Sequence, residues 1–543
     1  MSRFPAPGVA AVLLTLTASA GTPALGQSLT QVTLPPPIPM GTTQGDRVDR
    51  LIIRNATVLS GRGTPRSNRA MPPEGPIDIV IEGNRIVNMI PVDPVNAAGY
   101  QDGQGDANGS RVIDATGMYV MPGLVDMHVH LRGDGGDLGP RALDYQYRLF
   151  MAHGITTIRD AGTGAGLETM TSQRSLSDGH EIVAPRLILC QRWPLPLRQW
   201  DVGNTPESAR AMVRQFHELG ADCVKVSKSP GHYPDVLEAI VAEGRTLGLP
   251  VMVDLKVSET DAITASNAGV ASIEHWYGVP DAALPHTQQF PEDYNYWEEL
   301  DRFRWAGALW SEAAAYPEAL NAVLDTMIAN GTTWDPTMVV YEDNRDLSRV
   351  LTLPWRETLF HPAVLEGMWP DPTTHGAFKS EWKTSDEVRW RENFRIWMTY
   401  VRKFHEQGGL LTAGSDTSPW GGLALIRELE LMQEAGLHPI DVIRVATTNA
   451  YQALGMDDHC GVRVGCVADL AIVNGNPIDN LKVLYGLGYG FYGIATREEQ
   501  WQQGGVRWTI KDGVVYDAPA LLREVLSYVD QEKMRLRQAT DGR

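Results

Sequence analysis

The sequence predicts an α/β protein: a (β/α)8 TIM barrel joined to a small composite β-sandwich built from both ends of the chain. Three observations carry this expectation. Eight short apolar segments, at 124–131, 155–160, 186–191, 222–228, 250–256, 271–276, 334–340 and 410–416, alternate with helix-like stretches such as 206–219 and 235–247. Strand-like material with Gly and Asn turns flanks them on both sides, at 48–121 and 466–517. A chain of 543 residues is long enough for one large barrel with additions.

In chain order, Arg3, an apolar run from Val9 to Ala20 and the small-x-small triplet Ala24-Leu25-Gly26 read as a signal peptide over 1–26. The expected product is exported, periplasmic or secreted, with a flexible Pro-, Thr- and Gln-rich leader over 27–47. Neither this run nor any later one is apolar for long enough to span a bilayer. Leu51–Val58 and Ile77–Val87 alternate as strands, and 468–473 and 508–516 echo them near the other terminus. The barrel is expected over 122–465.

Its first strand, 124–131, has two faces. Val125, Met127, Val129 and Leu131 point one way, while Leu124, Asp126, His128 and His130 point the other. Two imidazoles at i and i+2 near a strand end can reach one cation. In such a barrel the chemistry sits at the C-terminal ends of the strands. Long connections at 277–333 and 341–409 interrupt the barrel, and the stretch 276–420 holds 11 of the 15 tryptophans. They form either a lid over a bulky, partly apolar substrate or helices packed on the barrel. An apolar stripe of Leu521, Leu522, Val525, Leu526 and Val529 predicts a terminal helix within 518–543.

The net charge of −19, spread along the chain, argues against a nucleic-acid partner and fits a small-molecule substrate; a homo-oligomer is compatible with it. Of the four cysteines, Cys460 and Cys466 lie close enough to bridge in an oxidising compartment, with free buried thiols as the alternative. No Cys-x-x-Cys occurs, which disfavours thiolate zinc.

Six segments in order, Arg54-Asn55-Ala56-Thr57-Val58, Met121 to His130, Gly154 to Asp160, Ser272-Ile273-Glu274-His275, Gly414-Ser415-Asp416 and Ala446 to Ala450, resemble the amidohydrolase superfamily. The resemblance is to its imidazolonepropionase-like and prolidase-like branch and runs from about residue 48 to 517. It implies the barrel-plus-sandwich fold and a hydrolase with one or two divalent metals, zinc first and manganese or another harder cation as alternatives. It further implies His128, His130, His275 and Asp416 as metal ligands, Asp416 also as general base, and Lys225 as a ligand after CO2 adds to form a carbamate. His275 could also help stabilise the oxyanion.

The fifth strand, Pro250 to Lys256, departs from the pattern. Asp254 and Lys256 stand where the resemblance leads one to expect histidines. Asp254 could bind a second metal; Lys256 could pair with Asp254 and leave one metal on His128, His130 and Asp416; or the site could be inactive, a ligand-binding barrel. Arg159, Arg192, His232 and Tyr233 near strand ends are candidates for holding a substrate carboxylate. The expected reaction is hydrolysis of an amide or peptide C–N bond in an N-acyl amino acid or dipeptide-like compound. A lactonase is the alternative, and a deaminase is disfavoured by Lys225.

Overall fold

The structure, a computed structural model, describes residues 41–64, 69–93, 110–193, 203–285, 291–368, 383–489 and 504–541, apart from residues 137, 140, 163, 257, 296–297, 307, 354 and 418–419. The expected signal peptide and most of the leader lie outside the described residues. No described helix is long and apolar enough to cross a membrane.

Both chain ends contribute to one mixed sheet. From the N-terminal side come β1 (Arg50–Val58), β2 (Glu74–Glu82), β3 (Arg85–Pro91), β4 (Arg111–Asp114) and β5 (Tyr119–Pro122). Seven further strands, β6 to β12, belong to the barrel, and the C-terminal side then adds β13 (Leu470–Val473), β14 (Val506–Lys511) and β15 (Val514–Asp517). The hydrogen-bonded order is β15-β14-β13-β5-β1-β2-β3, with β4 also paired to β1. The alternating apolar residues of these strands, among them Ile53, Ile79, Ile113, Val120, Leu470 and Ile510, form an apolar core of their own.

The barrel strands are β6 (Leu124–Val129), β7 (Ile155–Asp160), β8 (Arg186–Trp193), β9 (Cys223–Val226), β10 (Val251–Val253), β11 (Ser272–Glu274) and β12 (Thr333–Asp335), each parallel to the next. Two expected segments differ. The apolar run Met338–Tyr341 is a 3-10 turn, not the continuation of a strand. The segment 410–416 is irregular, yet its backbone closes the barrel: Trp334 N donates to Leu410 O, Thr412 N to Trp334 O, Met127 N to Ala413 O and Asp416 N to His128 O. A Cβ at Gly414 would lie 2.5 Å from the His128 Cβ, so the last segment must be bare there to approach the first.

All four cysteines are bridged. Cys190–Cys223 links β8 to β9 and Cys460–Cys466 closes a short turn. Trp310, Trp390 and Trp397 in the long connections and Trp276 and Trp334 at their borders are fully buried, and Tyr341 stacks on Trp390 at 5.8 Å. These tryptophans pack inserted helices against the barrel. The terminal helix Ala518–Asp541 docks on the helix Ala142–Ala152, with Arg148 Nε donating to Glu524 Oε2 at 2.9 Å.

Candidate metal centre

The C-terminal strand ends bring His128, His130, His275 and Asp416 together. The ligand atoms of His128, His130 and Asp416 all lie within 4.8 Å of one another. His130 Nε2 stands 3.1 Å and His128 Nε2 3.5 Å from Asp416 Oδ1, while His275 Nε2 is 3.8 Å from Asp416 Oδ2. Strict strand alternation would turn Glu274 and His275 to opposite faces. The left-handed backbone of His275, at φ 62°, turns its ring back into the barrel. Asp416 at φ 50° does the same at the end of the eighth segment. Such conformations cost of order 1–3 kcal/mol each in non-glycine residues and persist where the surroundings impose them.

Each ring nitrogen facing away from Asp416 is occupied. His128 Nδ1 donates to Glu274 Oε2 at 2.6 Å, His130 Nδ1 to Gly162 O at 3.2 Å, and His275 Nδ1 shares a 2.6 Å hydrogen bond with Thr337 Oγ1. For His128 this fixes the tautomer, so its Nε2 lone pair points at the Asp416 carboxylate. Burial, with Lys225 and His275 adding to it, holds the His128 imidazole neutral, well below the usual histidine range. Asp416 is held below the usual carboxylate range: burial opposes this but is outweighed by His275, His130 and Lys225. Lone pairs directed at an anion call for a cation between them, and a donor set of two imidazoles and a carboxylate fits a divalent metal.

Lys225 is buried beneath these ligands, its Nζ 3.2 Å from His128 Nε2. Burial lowers its pKa, against the pull of Glu274, Asp254 and Asp416. On β10, Asp254 Oδ2 lies 3.9 Å from His275 Nε2 and 3.6 Å from Lys256 Nζ, and its Oδ1 is buried with no hydrogen-bond partner. Burial would raise its pKa, but Lys256, His275, Lys225 and Arg302 outweigh it and keep the carboxylate ionised.

The four residues expected near a substrate fall in different places. Arg192 is exposed, with Nη2 3.2 Å from both ring nitrogens of His130. Arg159 is buried, and its guanidinium grips both Glu274 oxygens at 3.0 and 3.1 Å, Ser272 Oγ and Met127 O. His232 is fully buried, and burial pulls its imidazole down to about 4. Tyr233 is exposed at the start of the helix Pro234–Leu247.

Sequence reasoning missed the supports. Glu274 orients His128, Thr337 engages His275, and Asp126 accepts from Ser415 N at 2.9 Å and Ser415 Oγ at 2.7 Å, fixing the residue before Asp416. Their signal was adjacency: Glu274 and Asp126 lie inside the same motifs as the ligands.

The comparisons with known proteins agree with this geometry. Curated relatives include an allantoinase of Enterococcus faecalis, 36% identical over 86 residues (16% of this chain, 14% of the relative). An imidazolonepropionase of Anaeromyxobacter dehalogenans is 28% identical over 178 residues (31% of this chain, 38% of the relative). The chain thus spans well under half the length of these relatives. Among solved structures, a Xaa-Pro dipeptidase with bound methionine is similar in fold, with TM-score 0.55 and 19% identity over 86% of this chain and 100% of that one. The A. niger ochratoxinase follows, with TM-score 0.54 and 18% identity over 87% of this chain and 97% of that one. The profile of the Amidohydrolase family matches residues 119–516. With the barrel, the histidine pair of its first strand and Asp416 at its closing segment, the chain belongs to the amidohydrolase family.

Proposed function

We propose that the chain is an exported, metal-dependent hydrolase of amide or peptide C–N bonds, taking an N-acyl amino acid or dipeptide-like substrate. The observation that carries this reading is the set of imidazole Nε2 atoms converging on Asp416, with the opposite ring nitrogens of His128 and His130 tied to acceptors. The names of its fold neighbours, a dipeptidase and a bottromycin amidohydrolase, support the bond class. The N-terminal pattern of 1–26 and the use of all four cysteines in bridges support export.

His128, His130 and Asp416 would hold the cation, zinc or a harder divalent ion, with His275, Asp254 and Lys225 in reach of the same region. A divalent cation there supplies Lewis acidity: it makes water more acidic and polarises the scissile carbonyl. Asp416 accepts the proton of the attacking water and passes it to the leaving nitrogen. Its neighbours keep it ionised for that task. His275 has two roles open to it, and Thr337 selects between them. With Thr337 Oγ1 accepting, His275 Nε2 is a ligand; with Thr337 donating, Nε2–H can hold the oxyanion. Arg192, exposed beside His130, is placed to pair with a substrate carboxylate. Lys225 can ligate only as a carbamate, and its burial favours the free amine that attacks CO2 and then loses a proton.

The test is a panel of N-acyl amino acids, dipeptides and lactones assayed with the metal-loaded enzyme and with Asp416→Asn. Hydrolysis of amides, lost by about 10³-fold or more in the variant, is expected on removing a base that is also a ligand. Turnover of lactones alone, or full amide turnover by the variant, contradicts the proposal.

A further inference from the structure

The left-handed residues of the barrel mark out one more participant. Among the described residues, seven that are not glycine have a positive φ, and four of these sit at successive strand ends around the centre: Lys256 at 53°, His275 at 62°, Thr337 at 48° and Asp416 at 50°. His275 and Asp416 use that turn to face the site, and Thr337 uses it to engage His275 Nδ1. Lys256 has the same turn, and neither its β-carbon nor a glycine's freedom accounts for it. Its ammonium lies 3.6 Å from Asp254 Oδ2, too far for a good hydrogen bond but aimed at the carboxylate, and the side chain keeps 14% exposure.

The surrounding charges agree. Asp254 is flanked by Lys256, and Arg302 of the 277–333 connection, buried against Tyr277 with Nε donating to its hydroxyl at 3.1 Å, adds positive charge to the surroundings. A divalent cation bound to Asp254 would share that carboxylate with the ammonium 3.6 Å away, and like charges at such range repel. On the other side, His128, His130 and Asp416 form a complete three-donor set without Asp254.

We propose that this centre is built for one divalent cation, on His128, His130 and Asp416, and that the Lys256 ammonium takes the place of a second one, neutralising Asp254 and contacting an oxygen of the substrate. The inference rests on the proposed hydrolytic reading of the same site. Lys256 moves no proton in this role: it is a fixed positive charge on the side of the substrate facing His275. A lysine, unlike a cation in exchange with solvent, stays in place when metal is scarce.

The experiment is elemental analysis of the full-length protein loaded with excess zinc and freed of unbound metal, for the wild type, Asp254→Asn, Lys256→Met and Lys256→His. The expected contents are one equivalent in the wild type, Asp254→Asn and Lys256→Met, and a rise towards two in Lys256→His, where an imidazole replaces the ammonium. With the metal content unchanged, Lys256→Met should lower kcat/KM by about 10²-fold, as loss of a charged substrate contact does. Far-UV circular dichroism identifies any variant that does not fold, and the wild-type and Asp254→Asn contents decide the matter without it. Two equivalents in the wild type, falling to one in Asp254→Asn, overturn the inference and leave the hydrolytic reading standing. No bound metal in folded wild type overturns both.

Discussion

Replacing Glu274 by Gln tests the account at the point where architecture meets chemistry. Glu274 is fully buried, accepts from His128 Nδ1 at 2.6 Å, and is held from the other side by Arg159 at 3.0 and 3.1 Å. Two separable costs follow. First, Gln can accept from His128 through only one oxygen and carries no charge, so the imidazole loses both orientation and basicity. Changes to such outer partners of metal-binding histidines typically weaken metal affinity 10- to 100-fold, or about 1.4–2.7 kcal/mol. Second, the buried Arg159 guanidinium loses its near counter-ion and keeps only Asp335 at 4.0 Å, and removing one partner of a buried pair costs on the order of 3–5 kcal/mol of stability. Chelator competition reads the first and urea denaturation of the metal-free protein reads the second. The double variant Arg159→Met, Glu274→Gln should recover part of the stability and none of the metal affinity. Metal affinity within threefold of wild type in Glu274→Gln would refute the reasoning, since it would mean that the His128–Glu274 contact does not prepare Nε2 for a cation.

Further predictions concern other parts of the molecule. Arg192→Met should raise KM about 10- to 100-fold for substrates with a free carboxylate and little for their amides, because the exposed guanidinium beside His130 would bind that group; equal effects on both would contradict it. Cys190→Ala with Cys223→Ala opens a loop of sequence separation 33 and should cost about 3–4 kcal/mol on the chain-entropy estimate, read from urea midpoints with and without reductant. His153 is fully buried, donates from Nδ1 to Leu149 O at 2.6 Å, and is pulled down to about 4 by burial. A depressed pKa means the neutral form is favoured in the fold. Its contribution is therefore complete above about pH 6.5 and falls by about 3 kcal/mol as pH drops towards 4. His153→Gln should flatten that part of the stability curve, and an unchanged slope would contradict the assignment.

The barrel was legible because buried parallel strands read as short apolar runs, and Ile155–Asp160 was read to the residue. The run Met338–Tyr341 misled for the same reason: a buried 3-10 turn and a buried strand have the same apolar composition. The closing segment 410–416 was placed correctly by Gly414-Ser415-Asp416, although its pairing is too irregular to form a full strand. Residues of the candidate centre could be named from their motifs, but the neighbours that orient them could not. Period-two alternation assigns Glu274 and His275 to opposite faces, and only the left-handed turn at His275 brings both inside. Arg159 is a candidate substrate contact from its place near a strand end; its bonds to Glu274 depend on β7 and β11 meeting across the barrel, which no local pattern records.

The most direct measurement is the visible spectrum and metal content of the cobalt(II)-loaded protein, compared between wild type and the variants His130→Ala and Asp416→Ala. The account predicts a bound ion with the d–d absorption of a low-coordinate nitrogen and oxygen site in the wild type, and loss of at least one equivalent with that band in each variant. Full cobalt content and an unchanged spectrum in both variants would show that the ion is held elsewhere and would contradict the account at its centre.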